Sequence, residues 1–151
     1  MRETLFRGKR IDNEEWCYGY YVRIYNKRNN TYLHYIYTGY AEIDCDEVFP
    51  DYVEIIPKTL GQFVKMEDTS STKIFEGDIV TAEEYPFKDD GVFNYNGEIY
   101  FDNENYLYAV KLYCVNPNKR GISHGESRSL YERYRLVVIG NVHDNPELLE
   151  V

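Results

Sequence analysis

The sequence predicts an all-β protein, mostly antiparallel, with at most one or two short helices. Two observations carry this expectation. Seventeen tyrosines and seven phenylalanines among 151 residues favour pleated structure, where aromatic and β-branched side chains pack against cross-strand neighbours. The β-favouring runs are also short and separated by clusters of Asn, Gly, Pro and Asp, without sustained helical periodicity. A chain of 151 residues is long enough to bury a sizeable core without metal or disulfide staples, so no cofactor is required for folding.

Two runs, Trp16 to Tyr25 and Thr31 to Thr38, flank the polar segment Asn26 to Asn30 and predict a hairpin. Aromatics occupy both parities of each run, so both faces of this hairpin are expected to contact something. The acidic stretch Glu42 to Asp51, broken by Pro50, reads as a loop, followed by a short strand from Tyr52 to Ile56 that stops at Pro57. A first lobe is therefore expected over residues 1–58.

From Thr59 the texture changes. Leu60 to Val64 reads as a strand, Met66 to Lys73 as a polar loop, and Gly77 to Ala82 as a strand launched by a tight turn. There Gly77 tolerates positive φ and Asp78 can accept a local backbone hydrogen bond. Val92 to Tyr95 and Glu98 to Phe101 flank Asn96-Gly97, the dipeptide that suits a type I′ hairpin turn. Tyr106 to Val115 is apolar at nearly every position and predicts a covered strand. Asn116 to Ser127, with Pro117, Gly121 and Gly125, predicts an exposed connection. Leu136 to Ile139 predicts a buried strand, and Asn145-Pro146-Glu147 the start of a helical turn. Residues 59–151 are thus expected to form a small barrel resembling an SH3-like fold.

The chemistry-bearing residues are sparse. Cys17, Cys45 and Cys114 are odd in number and widely spaced, which fits neither a disulfide framework nor a metal knuckle, and they read as reduced apolar fillers. His34, His124 and His143 share no short segment, and Asp44-Cys45-Asp46 lacks the glycine and terminal glutamate of a calcium loop. Ser123-His124 lies in a glycine-bearing loop without the strained elbow of a catalytic serine. No metal site and no enzymatic activity are expected.

A formal net charge of −9 argues against non-specific nucleic-acid binding, which depends on neutralising phosphates. The charge is unevenly spread. Six basic residues (Lys111, Lys119, Arg120, Arg128, Arg133, Arg135) stand against Glu126 and Glu132 between positions 111 and 135, with Tyr131 and Tyr134 interleaved. Arginine beside tyrosine suits phosphate contact and base stacking, and the plainer alternative is a solvated basic loop. Glu42, Asp44, Asp46, Glu47, Asp51 and Glu54 form one acidic stretch, and residues 83–104 another. These carboxylates are either solvated surface or a mimic of phosphates toward a basic partner, with Asp44, Asp46 and Glu47 the candidate contacts. The run of apolar residues that a membrane span needs is absent, and so is a secretory signal, so a cytoplasmic protein is expected.

Three segments stand in a familiar order: MRETLFRGKR at the start, GQFVKMEDTSSTKIFEGDIV from Gly61 to Val80, and VIGNVHDNPELLE from Val138 to Glu150. As a set they resemble the YopX family, encoded by phages and prophages of mainly Gram-positive bacteria. The sequence departs from the family pattern at Thr69-Ser70-Ser71-Thr72, where a glycine-containing turn is usual. The resemblance implies a β-rich fold with a barrel-like C-terminal half and a phage or prophage origin, and it implies no catalytic residues. The expectation is a non-enzymatic accessory protein that binds a host or phage protein through acidic and tyrosine-rich surfaces. A nucleic-acid-associated factor using Lys119, Arg120, Arg128, Arg133 and Arg135 is the alternative. Because aromatics sit on both parities of residues 16–38, a homo-oligomer is also expected.

Overall fold

A computed structural model describes residues 3–44, 47–89, 93–115, 126–130 and 134–150, with the side chains of 40–44, 47–50, 89 and 93 left aside. The chain divides into two compact units, Met1–Phe63 and Val64–Val151. Both are built of antiparallel strands. The helical structure among the described residues is two 3-10 turns, Pro57–Thr59 and Pro146–Leu149.

The first unit contains β1 (Phe6–Lys9), β2 (Trp16–Asn26), β3 (Thr31–Asp44), β4 (Glu47–Glu54) and the start of β5 (Gly61–Glu67), in the sheet order β4-β3-β2-β1-β5. The predicted β2–β3 hairpin forms, with Tyr20 opposite Tyr37 and Asn26 opposite Thr31. β1 lay unseen in the sequence because four residues, two of them charged, give no periodic signal. Where an acidic loop was expected from Glu42 to Asp51, residues 42–44 and 47–51 lie in paired strands, with Glu42 opposite Phe49 and Ala41 opposite Pro50. Proline is tolerated there because β4 is the edge of the sheet, where a missing N–H need not break a ladder. A bulge between Tyr37 and Ala41 holds Gly39 at φ 83°.

One face of this sheet makes the core: Cys17, Ile36, Val53 and Ile55, with Phe6, Tyr21 and Leu60 packed against them. Two glycines let the strands close on it. An ideal Cβ at Gly19 would lie 1.9 Å from the Tyr37 carbonyl oxygen, and one at Gly8 would lie 2.7 Å from Ile55 Cδ1. Thr59 is buried and pins the first 3-10 turn to β1, its hydroxyl accepting the Lys9 N–H at 2.8 Å and donating to the Ile56 carbonyl at 2.6 Å.

The second unit contains the rest of β5, then β6 (Lys73–Phe75), β7 (Asp78–Thr81), β8 (Lys88–Asp89), β9 (Phe93–Asp102), β10 (Leu107–Cys114), β11 (Glu126–Ser129) and β12 (Val137–Asn141). β6 neighbours β5, and the main sheet runs β11-β10-β9-β7-β12 with β8 paired to β9. Among the described strands this sheet is open. Its core comprises Val64, Ile74, Val80, Phe87, Ile99, Val110, Leu112 and Leu136, each 5% exposed or less. Each such side chain stabilises the fold by about 1.5–3 kcal/mol relative to exposure.

The hairpin expected at Asn96-Gly97 does not form. Both residues lie inside β9, where Gly97 faces Leu112 on one side and Val80 on the other. Gly97 is glycine because the sheet is crowded there: an ideal Cβ would sit 2.3 Å from Val110 Cγ2 and 3.1 Å from Phe87 Cε1. The chain reverses after Asp102 instead. The Asp102 carboxylate accepts the backbone N–H of Glu104 at 2.9 Å and of Asn105 at 3.2 Å, and Tyr106 takes φ 56°. Asn96 serves elsewhere, its amide donating to the Leu148 carbonyl at 2.7 Å and tying down the last 3-10 turn.

The turn into β7 forms as expected. Gly77 has φ 83°, and the buried Asp78 carboxylate accepts the Phe75 N–H at 2.8 Å. The strand expected as buried at Leu136 to Ile139 is the edge strand β12: Leu136 is buried, while Val137 and Ile139 are exposed. The helical turn at the C-terminal end is present, but the Asn145 side chain accepts the Asn141 N–H at 3.4 Å rather than capping its own turn.

Asp68 organises the Thr69–Thr72 segment. Its Oδ1 accepts the N–H groups of Ser70 at 2.8 Å and Thr72 at 2.9 Å, and its Oδ2 accepts that of Val138 at 3.1 Å on β12. Partial desolvation pushes this carboxyl up, but the N–H groups of Thr72, Val138 and Ser70 prevail and hold it below its ordinary 3.8.

Two predictions follow from this geometry. Gly19→Ala forces apart β2 and β3, and thermal unfolding should show a loss of about 2 kcal/mol or more, the scale of overpacking a tight site. A melting temperature within error of the parent would contradict the close approach. Asp68→Ala strands three backbone donors and should cost about 1–3 kcal/mol near neutral pH. Because the folded carboxyl titrates below its ordinary value, its contribution is full above pH 3.8 and fades as pH falls through the lower folded value. The difference between parent and variant, read by denaturant titration at several pH values, should therefore shrink below pH 3.8.

Candidate functional site

The two faces of the first sheet are chemically unlike. Alternation along β2 sends Cys17, Gly19 and Tyr21 to the core face, and Trp16, Tyr18, Tyr20, Val22 and Ile24 to the other. The register places Tyr37, Tyr35 and Leu33 beside Tyr20, Val22 and Ile24, with Tyr52 beside Tyr37. Tyr20 and Tyr37 stack with ring centroids 6.4 Å apart, and Tyr37 and Tyr52 lie 5.3 Å apart, so three rings form a ladder across three strands. Tyr20 is 55% exposed, and Tyr18, Tyr52 and Ile24 are each nearly half exposed. Toward β1 the face closes over: Arg7 is buried, its guanidinium 4.6 Å from the Trp16 ring centroid. The predicted aromatics on both parities thus divide into a packed face and an open one.

On the core face, the Tyr21 hydroxyl and His34 Nδ1 are 2.7 Å apart, so this histidine is bound to a neighbouring ring. The Cys17 thiol contacts the Gly8 carbonyl at 3.3 Å, and burial pushes it up, the opposite of what a nucleophilic thiolate needs. Cys114 is buried. Cys45 and His124 lie outside the described residues.

Of the acidic candidates, Asp44 and Glu47 are paired across β3 and β4, and Asp46 lies outside the described residues. Of the basic candidates, Lys119, Arg120 and Arg133 lie outside the described residues, while Arg128 and Arg135 line adjoining clefts of the second unit. One cleft, of about 400 Å³, is walled by Glu84, Tyr85, Arg128 and Tyr134. The other, of about 330 Å³, is lined by Thr81, Ala82, Glu83, Glu84, Arg135 and Val137, with Thr69. Arg128 stands on β11 opposite Val110. Its Nη2 donates to the Tyr85 hydroxyl at 3.2 Å, and it pairs with Glu126 at 2.6 Å. Tyr134 meets the buried Phe87 edge-on, with centroids 6.1 Å apart.

Sequence reasoning missed the Glu83 to Pro86 segment, because nothing in the order Glu-Glu-Tyr-Pro marks a cleft. Pro86 and Phe87 are buried and anchor the loop, while Tyr85 stands 64% exposed. Among the described residues, no group of three or more His, Cys, Asp or Glu side chains is arranged to hold a metal ion. No helix among them is long and apolar enough to cross a membrane.

Comparison with known proteins bears on the fold and the family. A crystal structure of protein EF1440 from Enterococcus faecalis is similar over 99% of this chain and 100% of that one, with a TM-score of 0.52 at 19% identity. No curated protein matches in sequence. The family model described as YopX protein matches residues 5–150. Because that match spans nearly the whole chain, the protein belongs to the YopX family.

Proposed function

We propose that the protein is a phage or prophage accessory factor of the bacterial cytoplasm that acts by binding another protein, without catalysis. The open face of the first sheet carries this reading. Tyr20, Tyr37 and Tyr52 form a continuous ladder flanked by Tyr18 and Ile24, much of it exposed. Tyrosine suits such a surface, since the ring supplies apolar contact area and the hydroxyl stays hydrogen-bonded at a wet rim. The carboxylates Asp44, Asp46 and Glu47 give the same lobe an acidic character that favours a basic partner. A second copy of the chain is a further occupant that the face suits.

The alternative, a nucleic-acid-associated factor, is favoured by one observation: Arg128 and Arg135 line adjoining clefts together with Tyr85 and Tyr134. Against it, Arg128 is already paired with Glu126.

Capture from a bacterial host lysate separates the readings. Tyr20→Asp with Tyr52→Asp should abolish retention of the partner, and so should Asp44→Lys, Asp46→Lys and Glu47→Lys together. The tyrosine changes, at exposed positions, should each cost only about 0.5 kcal/mol of stability. Arg128→Ala with Arg135→Ala should leave capture intact. The reverse pattern, with binding lost in the arginine variant and its salt dependence flattened, would establish the nucleic-acid reading. Light scattering at high protein concentration should show self-association if a second copy covers the face, and a strict monomer removes that occupant.

A further inference from the structure

The clefts of the second unit share Glu84, and their charges are not equivalent. Arg128 is neutralised by Glu126 at 2.6 Å, and its bond to the Tyr85 hydroxyl holds that ring. Glu83 is paired with Lys88. The Glu84 carboxylate has no hydrogen-bond or ion-pair partner among the described residues. Its main-chain carbonyl is fixed, accepting the N–H groups of Phe87 at 2.9 Å and Lys88 at 3.2 Å. Tyr134 is braced against Phe87, and Tyr85 is open to solvent. Among its described lining residues, the cleft of about 400 Å³ therefore presents the Glu84 carboxylate and two phenol rings, with Arg128 paired to Glu126 and its guanidinium 5.8 Å from the Tyr85 ring centroid.

That composition selects for a positive charge carried on an apolar stem. A ring face attracts a cation through its quadrupole, and a carboxylate accepts a charge-assisted hydrogen bond from a guanidinium or ammonium group. An anion entering the same cleft meets repulsion from Glu84. We infer that this cleft receives a single arginine or lysine side chain of a partner protein, held between Glu84 and the rings of Tyr85 and Tyr134. The net charge of −9 favours the approach of a basic partner. Arg135 lines only the adjoining cleft, where it disfavours a second base beside the first, so the site selects an isolated basic residue over a polybasic run. The inference concerns the second unit and stands independently of the aromatic face in the first.

The probe is an acetylated, amidated glycine peptide containing one arginine, titrated into the full chain and followed by the NMR signals of the tyrosine rings. Its counterpart carries citrulline, which keeps the shape and removes the charge. The arginine peptide should bind about tenfold more tightly than the citrulline peptide, with shifts at Tyr85 and Tyr134, a difference on the scale of one desolvated cation–π contact with its ion pair. Glu84→Gln should remove most of that preference, and Tyr85→Ala should weaken binding. Tyr85→Phe, which keeps the ring, should retain it. Melting curves check the fold of each variant, and Glu84→Gln, at an exposed position, is the variant least able to disturb it. Equal affinity for the two peptides, absence of shifts with either, or an unchanged preference in Glu84→Gln overturns the inference. So does preferential binding of a single-stranded oligonucleotide that is lost in Arg128→Ala.

Discussion

At residue 19 the carbonyl oxygen of Tyr37 comes within 1.9 Å of where any side chain would begin. Everything in the first unit is arranged around that approach. It brings β3 onto β2 closely enough for Ile36 to be fully buried beside Cys17, Val53 and Ile55. Because successive side chains alternate between faces, burying that set commits the neighbouring positions to the opposite side. Gly97 plays the corresponding part in the second unit, where Val110 and Phe87 fill the space a side chain would need. In both units a glycine within a strand, rather than in a turn, marks the tightest packing.

The consequence for binding is that the aromatic surface is a by-product of register rather than of loop design. Tyr20, Tyr37 and Tyr52 come from three strands and meet only because the ladder sets them opposite one another. Their rings already support one another, so little side-chain freedom remains to be lost on docking. A surface prepared in this way differs from an exposed apolar patch that must reorganise to be covered. Slipping the register by one residue would turn the ladder into the core and bring Cys17 and Ile36 to the solvent.

The carboxylates separate into two kinds of work. Asp68, Asp78 and Asp102 build turns, each accepting backbone N–H groups that would otherwise lack an acceptor. At Asp68 this compensates for the missing glycine in Thr69-Ser70-Ser71-Thr72: Ser71 takes φ 62°, and the carboxylate holds the neighbouring N–H groups of Ser70 and Thr72. Glu83, Glu126 and Asp12 are engaged with cations. Among the described residues Glu84 is spent on neither purpose, which sets it apart from Glu83 and Glu126.

Composition and local pattern by themselves determined the all-β class, the β2–β3 hairpin, the Gly77-Asp78 turn and, through three ordered segments, the family. These are features written within a few residues, where propensity and turn chemistry act directly. The tertiary structure decided what depends on distant neighbours. Asn96-Gly97 is a strong local turn signal, yet Val80 and Leu112 pair across it and Val110 fills the space above it, so packing overrode the local preference. Glu42 to Asp51 looks like a loop by charge, but an edge position lets acids and Pro50 stand in a strand. The two faces of the first sheet and the cleft beside Glu84 were likewise illegible, because whether a tyrosine packs or projects, and whether a carboxylate finds a partner, is fixed by residues remote in the chain.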